Sequence, residues 1–480
     1  MYKRILVCAF VLALTGCITV GPDYTPPKVT TPAAWRIEEK EAQDFSNTAW
    51  WEQFKDPVLN GLVRTALETN NDILLATARI EEFFGRWFQT RGDQYPSADA
   101  RGDAFRQRLS DHAATRIDGS KNPFNQYEAL LNAGYEVDFW GKYRRATEAA
   151  RAELLATEEA RRTVVLTLVT SVASTYVDLL ALDKQLVITQ NTAVSRKATL
   201  DLFQQRFENG IISEVDLSQA QSEYEDAMAR IPDIERAIGQ TENALSVLVG
   251  GLPGPIPRGL ALDDLPLPAV PAGVPSDLLE RRPDIRQSEQ FLIAANAQIG
   301  VAKSLYFPTV SLSGAFGVVS TDLSNLLTAS ARTWNFGVPV SVPLLTFGRI
   351  GGEVKAAEAA QQQALFSYQQ TVLNAFREVE DALIDRSKSG QRLDALGRQL
   401  KALRNYARLA RMRYDEGYTS YLEVLDAERS LFNVDLTYTT AQNTLVRSVI
   451  TIYKSMGGGW VTTAADGLKN QPVMEAGFIP

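Results

Sequence analysis

The chain has 480 residues, of which 45% are hydrophobic and 22% are charged, and its formal net charge is -8. The sequence contains neither a Lys/Arg cluster nor a basic stripe with interleaved aromatic residues, which argues against a nucleic-acid partner. It has one histidine, His112, in a polar stretch, and no spacing typical of a catalytic triad, a metal site or a phosphate loop. We therefore expect neither an enzyme nor a cofactor.

Residues 1–16 have the pattern of a lipoprotein signal peptide. Two basic residues precede an apolar run from Ile5 to Leu14, and Thr15-Gly16-Cys17 follows. The run is too short to cross a bilayer, which disfavours the alternative of a retained membrane helix. No other window approaches 18 consecutive apolar residues, so we expect no transmembrane helix.

Cys17 is the predicted first residue of the mature chain and the predicted lipidation site. Cys8 would leave with the signal peptide, so we expect no disulfide. Ile18, rather than Asp, follows Cys17, and in the enterobacterial sorting pattern this favours transfer to the outer membrane. A lipid alone anchors the chain in one leaflet and does not make a channel.

The rest of the chain is built twice. Trp140-Gly141-Lys142 recurs as Phe347-Gly348-Arg349 at an offset of 207 residues, and Tyr95-Pro96 recurs as Phe307-Pro308 at an offset of 212. The change of offset predicts a loop of different length between Pro96 and Trp140. The predicted organisation is an extended, lipidated linker over 17–58, a first repeat over 59–251, a Pro-rich linker over 252–275, a second repeat over 276–459 and a tail over 460–480.

Each repeat predicts a long antiparallel helical hairpin. Residues 142–209 contain no Gly or Pro, which predicts a helix over about 142–208 with a length of about 100 Å. Apolar residues at steps of three and four form one stripe along it: Val165, Leu168, Val172, Tyr176, Leu179, Leu182 and Leu186. A return helix is predicted over 213–249, broken or kinked at Pro232. The second repeat predicts helices over 349–416 and 419–456.

Before each long helix the period changes to two, which predicts strands over about 97–107, 127–139, 308–319 and 333–343. Each is near the length that a tilted membrane strand needs. Four strands cannot close a barrel, and open edges in lipid are costly, so other copies of the chain would have to complete it. A soluble sheet with a packed polar side is the alternative.

Several motifs then identify a resemblance: Leu279-Glu280-Arg281-Arg282-Pro283-Asp284-Ile285, Ala294-Ala295-Asn296-Ala297-Gln298-Ile299-Gly300, Asp138-Phe139-Trp140-Gly141 and Leu425-Asp426-Ala427-Glu428-Arg429. Together they resemble the outer-membrane efflux proteins of the TolC family. Val20-Gly21-Pro22-Asp23-Tyr24 and Trp50-Trp51 resemble the lipoprotein branch of that family. The resemblance covers essentially the whole mature chain.

The resemblance implies a mixed α and β membrane protein that forms a homotrimer. Its twelve-stranded outer-membrane β-barrel, with four strands per chain, would be continuous with a twelve-helix periplasmic α-barrel. The implied partners are a periplasmic adaptor (membrane fusion protein) and an inner-membrane efflux pump, which would be proton-driven. The chain would be lipid-anchored in the outer membrane, with a long periplasmic extension.

The resemblance also places the adaptor contacts at the turns between the long and returning helices. The implied residues are Asn209, Gly210, Ile211 and Ser213 in the first turn, and Glu416, Gly417, Tyr418, Thr419 and Ser420 in the second. A structural role explains some of them equally well, because Gly permits the turn and Ser caps the next helix. In particular, Ser213 with Asp216, and Ser420 with Glu423, have capping-box spacing.

The implied pore gate consists of Leu422, Glu423, Asp426 and Tyr414. Leu422 would be a hydrophobic constriction, or else helix core, and Asp426 an acidic ring that concentrates cations. Glu423 is as well explained by helix capping. TolC carries a basic residue where this chain has Thr419, so the closed state would rest on fewer charged contacts.

The predicted function is a passive exit duct of a tripartite efflux system for small toxic compounds. A type I secretion or metal-export duct remains an alternative. A structural lipoprotein spacer is the other alternative, and it would explain the helices but not the duplicated amphipathic hairpins.

Overall fold

The computed structural model describes residues 19–28, 31–32, 35–36, 49–110, 121–270 and 275–458. Its main helices are α1 (Pro57–Thr69), α2 (Asn71–Gly92), α3 (Lys142–Glu208), α4 (Glu214–Leu248), α5 (Pro283–Ser304), α6 (Arg349–Asp415) and α7 (Tyr421–Ser455). Its strands are β1 (Ser97–Gln107), β2 (Phe124–Glu136), β3 (Thr309–Ser320), β4 (Arg332–Gly337) and β5 (Val340–Ser341). The signal peptide, Cys17, His112 and the tail over 460–480 lie outside the described residues.

The four longest helices match one another in pairs. α3 and α6 each have 67 residues, and α4 and α7 each have 35. The predicted break at Pro232 is wrong, because α4 continues through this residue. The proline lies on the exposed face of the helix, where a lost backbone hydrogen bond leaves no buried group unpaired. The predicted bounds of α3 are confirmed, and the ends of α4, α6 and α7 differ from the predicted ones by at most two residues.

The described chain forms two compact units, and the first contains the sheet. Its strands lie in the order β1-β2-β3-β4 and all pairs are antiparallel, with β5 also paired to β3. β2 begins and ends three residues earlier than predicted. The strand predicted over 333–343 is split into β4 and β5 because Pro339 has no N–H to donate. The Pro339 carbonyl still accepts from Ser311 N at 3.0 Å.

The sheet has one apolar and one polar face. Across the apolar face Ala100 lies opposite Leu131, Leu131 opposite Phe316, and Phe316 opposite Trp334. On the polar face Asn132 donates to Asp99 at 3.0 Å. The exposed aromatic and aliphatic side chains of the apolar face give the sheet the alternation of a membrane strand set.

The N-terminal segment is packed into this first unit. Val20 N donates to Trp140 O at 2.9 Å, and the buried Arg145 pairs with Asp23 at 2.6 Å. Gly21 has φ +100°, and a Cβ there would lie 2.5 Å from Gly300 Cα. The described start of the predicted linker is therefore docked on this unit. Its Asp23 supplies a carboxylate partner to the buried Arg145, which stabilises the docked position.

The second unit is helical and has the larger apolar core. The stripe predicted on α3 supplies Val165, Leu168, Val172 and Tyr176 to this core. Among the described residues, α3 is the helix that is long and apolar enough to cross a membrane. However, 67% of its apolar 18-residue segment is buried inside the protein. A core helix passes the same test, and the packing of the stripe explains the hydropathy.

The end of the predicted 17–58 linker is also part of this core, so its extended form is wrong there. Trp50–Phe54 form one 3₁₀ turn, and Trp50 stacks on Tyr453 at a ring-centroid distance of 5.0 Å. Asp56 is fully buried. Its carboxylate caps α1 through Val58 N at 2.8 Å and accepts from Tyr176 OH at 2.9 Å. Burial of these apolar rings outweighs the cost of ordering the segment.

The Arg282-Pro283-Asp284 motif ties three helices of this unit together. Arg282 is buried and donates to Ser455 O, at the end of α7, at 2.8 Å. It also pairs with Asp284 at 2.6 Å and with Glu378 of α6 at 2.7 Å. A buried guanidinium with this many acceptors is fully satisfied, so the motif has a structural role.

We predict that Asp56→Ala destabilises the second unit by about 3 kcal/mol, because it removes a helix cap and leaves the buried Tyr176 hydroxyl without its acceptor. Thermal unfolding followed by circular dichroism should show a lower midpoint. Asp233→Ala is the control, since Asp233 pairs with Arg236 on the surface of α4. Equal midpoints for the two variants would contradict the assigned role of Asp56.

Candidate functional site

The candidate site lies where α3 turns into α4 and α6 turns into α7, here called the tip. Both turns have the same backbone hydrogen bonds. Ile211 N donates to Arg206 O at 2.8 Å, and Tyr418 N donates to Arg413 O at 2.8 Å. Gly210 and Gly417 have φ values of +69° and +81°. Each long helix therefore ends in a Schellman motif, which requires a left-handed residue and explains both glycines.

The two return helices begin differently. Ser213 and Asp216 form the predicted capping box, with Asp216 N donating to Ser213 Oγ at 3.2 Å. The capping box predicted for Ser420 is wrong, because its side chain makes no cap hydrogen bond. The reason is that Glu423 is engaged elsewhere: its carboxylate accepts from Thr419 Oγ1 and, at 3.1 Å, from Arg413 Nη1. These charge-assisted bonds outcompete the neutral cap.

An aromatic cluster holds the two hairpins together at the tip. Tyr421, the first residue of α7, packs its ring 4.4 Å from Phe203 of α3 and 5.6 Å from Tyr414 of α6, between ring centroids. Arg206 Nη1 donates to the Tyr414 hydroxyl at 2.9 Å. Burial raises the pKa of Tyr421 to about 12, so the Tyr421 hydroxyl stays neutral near neutral pH. Tyr414 thus connects the ends of the two long helices.

Leu422 and Asp426 lie one helical turn apart on an exposed face of α7. Leu422 is 60% exposed, so within the chain it is not a core residue. Asp426 is also exposed, and Tyr406 OH lies 3.4 Å from its carboxylate. Three other side chains of the first turns of α7, Tyr421, Val424 and Leu425, are buried against the hairpin. The helix therefore presents a carboxylate and an apolar side chain away from its own core.

Sequence reasoning missed a charged cluster further along the same helices. Glu223 of α4 is buried and pairs with the buried Arg196 of α3 at 2.8 Å. Arg429 of α7, three residues after Asp426, donates to the other oxygen of the same carboxylate. No local motif could reveal this cluster, because its members come from three helices. The position of Arg429 one turn beyond Asp426 on a charged face was the available signal.

Glu428 lies beside this cluster. Burial raises the pKa of the Glu428 carboxyl, although Arg411 and Arg196 act to lower it and Glu223 adds to the increase. Among the described residues no group of His, Cys, Asp or Glu side chains has the arrangement of a metal site. The tip therefore offers acidic, basic and apolar side chains at the helix ends.

The fold and the tip together define a class of protein: a channel with a two-faced sheet and paired long helical hairpins. The family described as outer membrane efflux protein matches residues 62–251 and 274–458 of this chain. The chain belongs to this family. It is an outer-membrane efflux channel with a periplasmic extension.

Known relatives cover almost the whole chain. It is 34% identical over 468 residues to the cation efflux system protein CusC of Escherichia coli O157:H7, covering 95% of this chain and 99% of that protein. It is 35% identical over 460 residues to the solvent efflux pump outer membrane protein SrpC of Pseudomonas putida, covering 94% and 97%. The crystal structure of the Campylobacter jejuni CmeC outer membrane channel matches with a TM-score of 0.88 at 25% identity, covering 94% of this chain and 98% of that one.

We predict that Glu423→Ala loosens the second turn, because Arg413 and Thr419 both lose their shared acceptor. The free energy of local opening should fall by about 1 kcal/mol, which is roughly a fivefold faster hydrogen exchange of the backbone over 418–424. Glu416→Ala, at an exposed carboxylate of the same turn, is the control. Unchanged exchange in Glu423→Ala would show that the Schellman motif alone holds the turn.

The raised pKa of Glu428 predicts a pH dependence of tip stability. Between the ordinary glutamate pKa of 4.5 and the raised value, the folded tip binds more protons than the unfolded chain. The free energy of unfolding therefore decreases as the pH rises through this window. Glu428→Gln should remove that part of the slope, measured by hydrogen exchange of α7 at a series of pH values. The same slope in Glu428→Gln and wild type would contradict the prediction.

Proposed function

We propose that the chain is the exit duct of a tripartite efflux system, conducting small toxic compounds from the periplasm to the exterior without an enzymatic step. It would act as a homotrimer, with four strands per chain completing a twelve-stranded barrel and four long helices per chain completing a twelve-helix tunnel. Cys17 would carry the lipid anchor. The two hairpins of equal length, with offsets that match the sequence repeat, support an internal two-fold repeat.

The observation that carries this proposal is the two-faced sheet with its open edges. Its apolar face exposes Leu131, Phe316, Trp334 and Phe336, which a water-soluble sheet would cover. Unpaired strand edges are not stable in lipid, so closure requires further copies. A spacer lipoprotein needs neither feature, and an oligomer that resists SDS until heated and conducts ions would distinguish the channel from the spacer.

The tip is the proposed docking surface for the periplasmic adaptor. Ile211 and Tyr418 project from the two turns and are 69% and 77% exposed. Their neighbours Asn209, Gly210 and Ser213, and Glu416, Gly417, Thr419 and Ser420, complete the proposed contact set. The inner-membrane pump bound to that adaptor would be proton-driven and would select the cargo, because a wide aqueous duct contacts its cargo only weakly.

The proposed gate consists of Leu422, Asp426, Glu423 and Tyr414. Copies of Leu422 and Asp426 around a narrow axis would form an apolar constriction and an acidic ring. Their exposure on one face of α7 supports this arrangement. Glu423 and Tyr414 would act indirectly, since Glu423 bonds to Arg413 and Tyr414 bonds to Arg206. They hold the start of α7 against the end of α6.

Small hydrophobic toxicants are the proposed cargo, in line with the solvent efflux relative. Metal export is the second candidate, favoured by the cation efflux relative. A strain that lacks this gene distinguishes the two candidate cargoes. Its susceptibility is measured with organic solvents, hydrophobic antibiotics and metal cations. Sensitivity to cations alone would overturn the first assignment.

We predict that Asp426→Ala raises single-channel conductance on the order of twofold and weakens cation preference, because the ring loses its charge. The measurement is current through the purified trimer in a planar bilayer at low salt. Asp201→Ala is the control, since the Asp201 carboxylate is already paired with Lys197 at 2.5 Å. Unchanged conductance and selectivity in Asp426→Ala would remove this residue from the gate.

A further inference from the structure

The sheet ends in two edges whose pairing partners can be identified. β1 pairs with β2, and β4 and β5 pair with β3, so within the described residues the outer sides of β1 and of β4–β5 carry no strand. The two edges belong to different repeats. The chain already contains one junction between repeats, the β2–β3 pair, and this junction supplies a template for the other.

The two hairpins have the same register once the sequence offsets are applied. β1 maps onto β3 at an offset of 212, and β2 maps onto β4–β5 at an offset of 207. The pair Ser97–Gly134 then becomes Thr309–Ser341, and the pair Gly102–Ala129 becomes Gly314–Phe336. Both derived pairs are present in the sheet. The repeats are therefore equivalent residue by residue along their strands.

Applying the same offsets to the β2–β3 junction gives the register of the missing one. Leu131–Phe316 becomes Val338–Ala104, and Tyr135–Leu312 becomes Val342–Ala100. We propose that the β4–β5 edge pairs antiparallel with β1 of a neighbouring copy in this register. This proposal rests on the proposed oligomeric barrel and specifies the residues that join its subunits.

Side-chain size supports the register. The even-numbered side chains of the β4–β5 edge that would face the neighbour are large and exposed: Val338, Val340, Val342 and Leu344. Their derived partners are small: Ala104, Gly102, Ala100 and Ala98. Large residues thus meet small ones at four successive positions on the apolar face, which fills the seam without overpacking.

Backbone hydrogen bonding supports it independently. At the existing junction Val137 N donates to Val310 O at 2.9 Å. The equivalent bond joins Leu344 N to Ala98 O of the neighbour. Pro339 directs its carbonyl to Ser311, away from the edge. Its missing N–H therefore costs the edge no bond, which explains how a proline is tolerated at a subunit seam.

An aromatic pair at the end of the strands follows the same rule. Trp140 stacks on Phe307 at 4.6 Å between ring centroids. The offsets convert this pair into Phe347 and Tyr95 of the neighbour, which are 95% and 59% exposed in the single chain. Two aromatic side chains that lack a partner within the described chain thus become partners across the seam.

Disulfide cross-linking tests the register. Ser341 and Arg101 are opposite each other in the derived pairing, at a position equivalent to Gly134–Ser313. This is a non-hydrogen-bonded pair, in which Cα atoms are about 4.5 Å apart, close enough for a disulfide. The double variant Ser341→Cys with Arg101→Cys should form covalent dimers and trimers upon oxidation, seen on heated non-reducing gels.

The controls shift the register by two residues. Ser341→Cys combined with Asp99→Cys or with Asp103→Cys displaces the thiols by about 6.6 Å along the strand, beyond disulfide reach. The matched pair should cross-link on the order of tenfold more than either control. The single variants Ser341→Cys and Arg101→Cys control for cross-links through Cys8 and Cys17, the two natural cysteines. Gly337→Cys with Phe105→Cys tests the same register should Arg101→Cys not assemble.

Each outcome has a definite meaning. Preferential cross-linking of the matched pairs supports the seam. Stronger cross-linking of a shifted pair, or none in variants that run as oligomers on unheated gels, overturns the register and leaves the proposed function intact. If the wild-type chain forms no oligomer under any such condition, the proposed function itself fails.

Discussion

The need to pair every backbone group of a strand in lipid is the constraint on which the rest of the structure depends. A sheet of this size has edges, and its apolar face marks it for a membrane. In the barrel that we propose, these edges pair with those of other copies, and the internal repeat permits this because each copy offers two equivalent hairpins. The same repeat gives helices of equal length in the two halves, 67 and 35 residues in each.

The tip shows how a duplicated backbone acquires two different sets of side-chain contacts. Both turns use the same Schellman geometry, so their backbone is set by glycine and hydrogen bonding. Their side chains differ. Ser213 caps α4, whereas the start of α7 is held by Glu423 through Arg413 and Thr419. The start of α7, which carries Leu422 and Asp426, therefore combines this partly exposed polar network with the buried contacts of Tyr421, Val424 and Leu425.

Much of the fold could be predicted from the sequence because it is local. The stretch over 142–209, which contains no Gly or Pro, indicates a long helix, and the alternation around Leu131 and Phe316 indicates strands with one apolar face. Pro232 misled the prediction, because a proline on an exposed helix face is tolerated. The segment around Trp50 and Asp56 was misassigned as linker, since its partners lie more than a hundred residues away in α3 and α7.

The sequence by itself determined the repeat, the helix and strand types and the family, because periodicity and motif spacing are properties of short segments. It also determined the residues of the tip turns. Only the tertiary structure decided that Glu423 bonds to Arg413, that the Ser420 side chain makes no cap hydrogen bond, and that Arg196, Glu223 and Arg429 meet. The physical reason is that side chains on separate helices compete for one carboxylate, and their packing sets which of them reaches it.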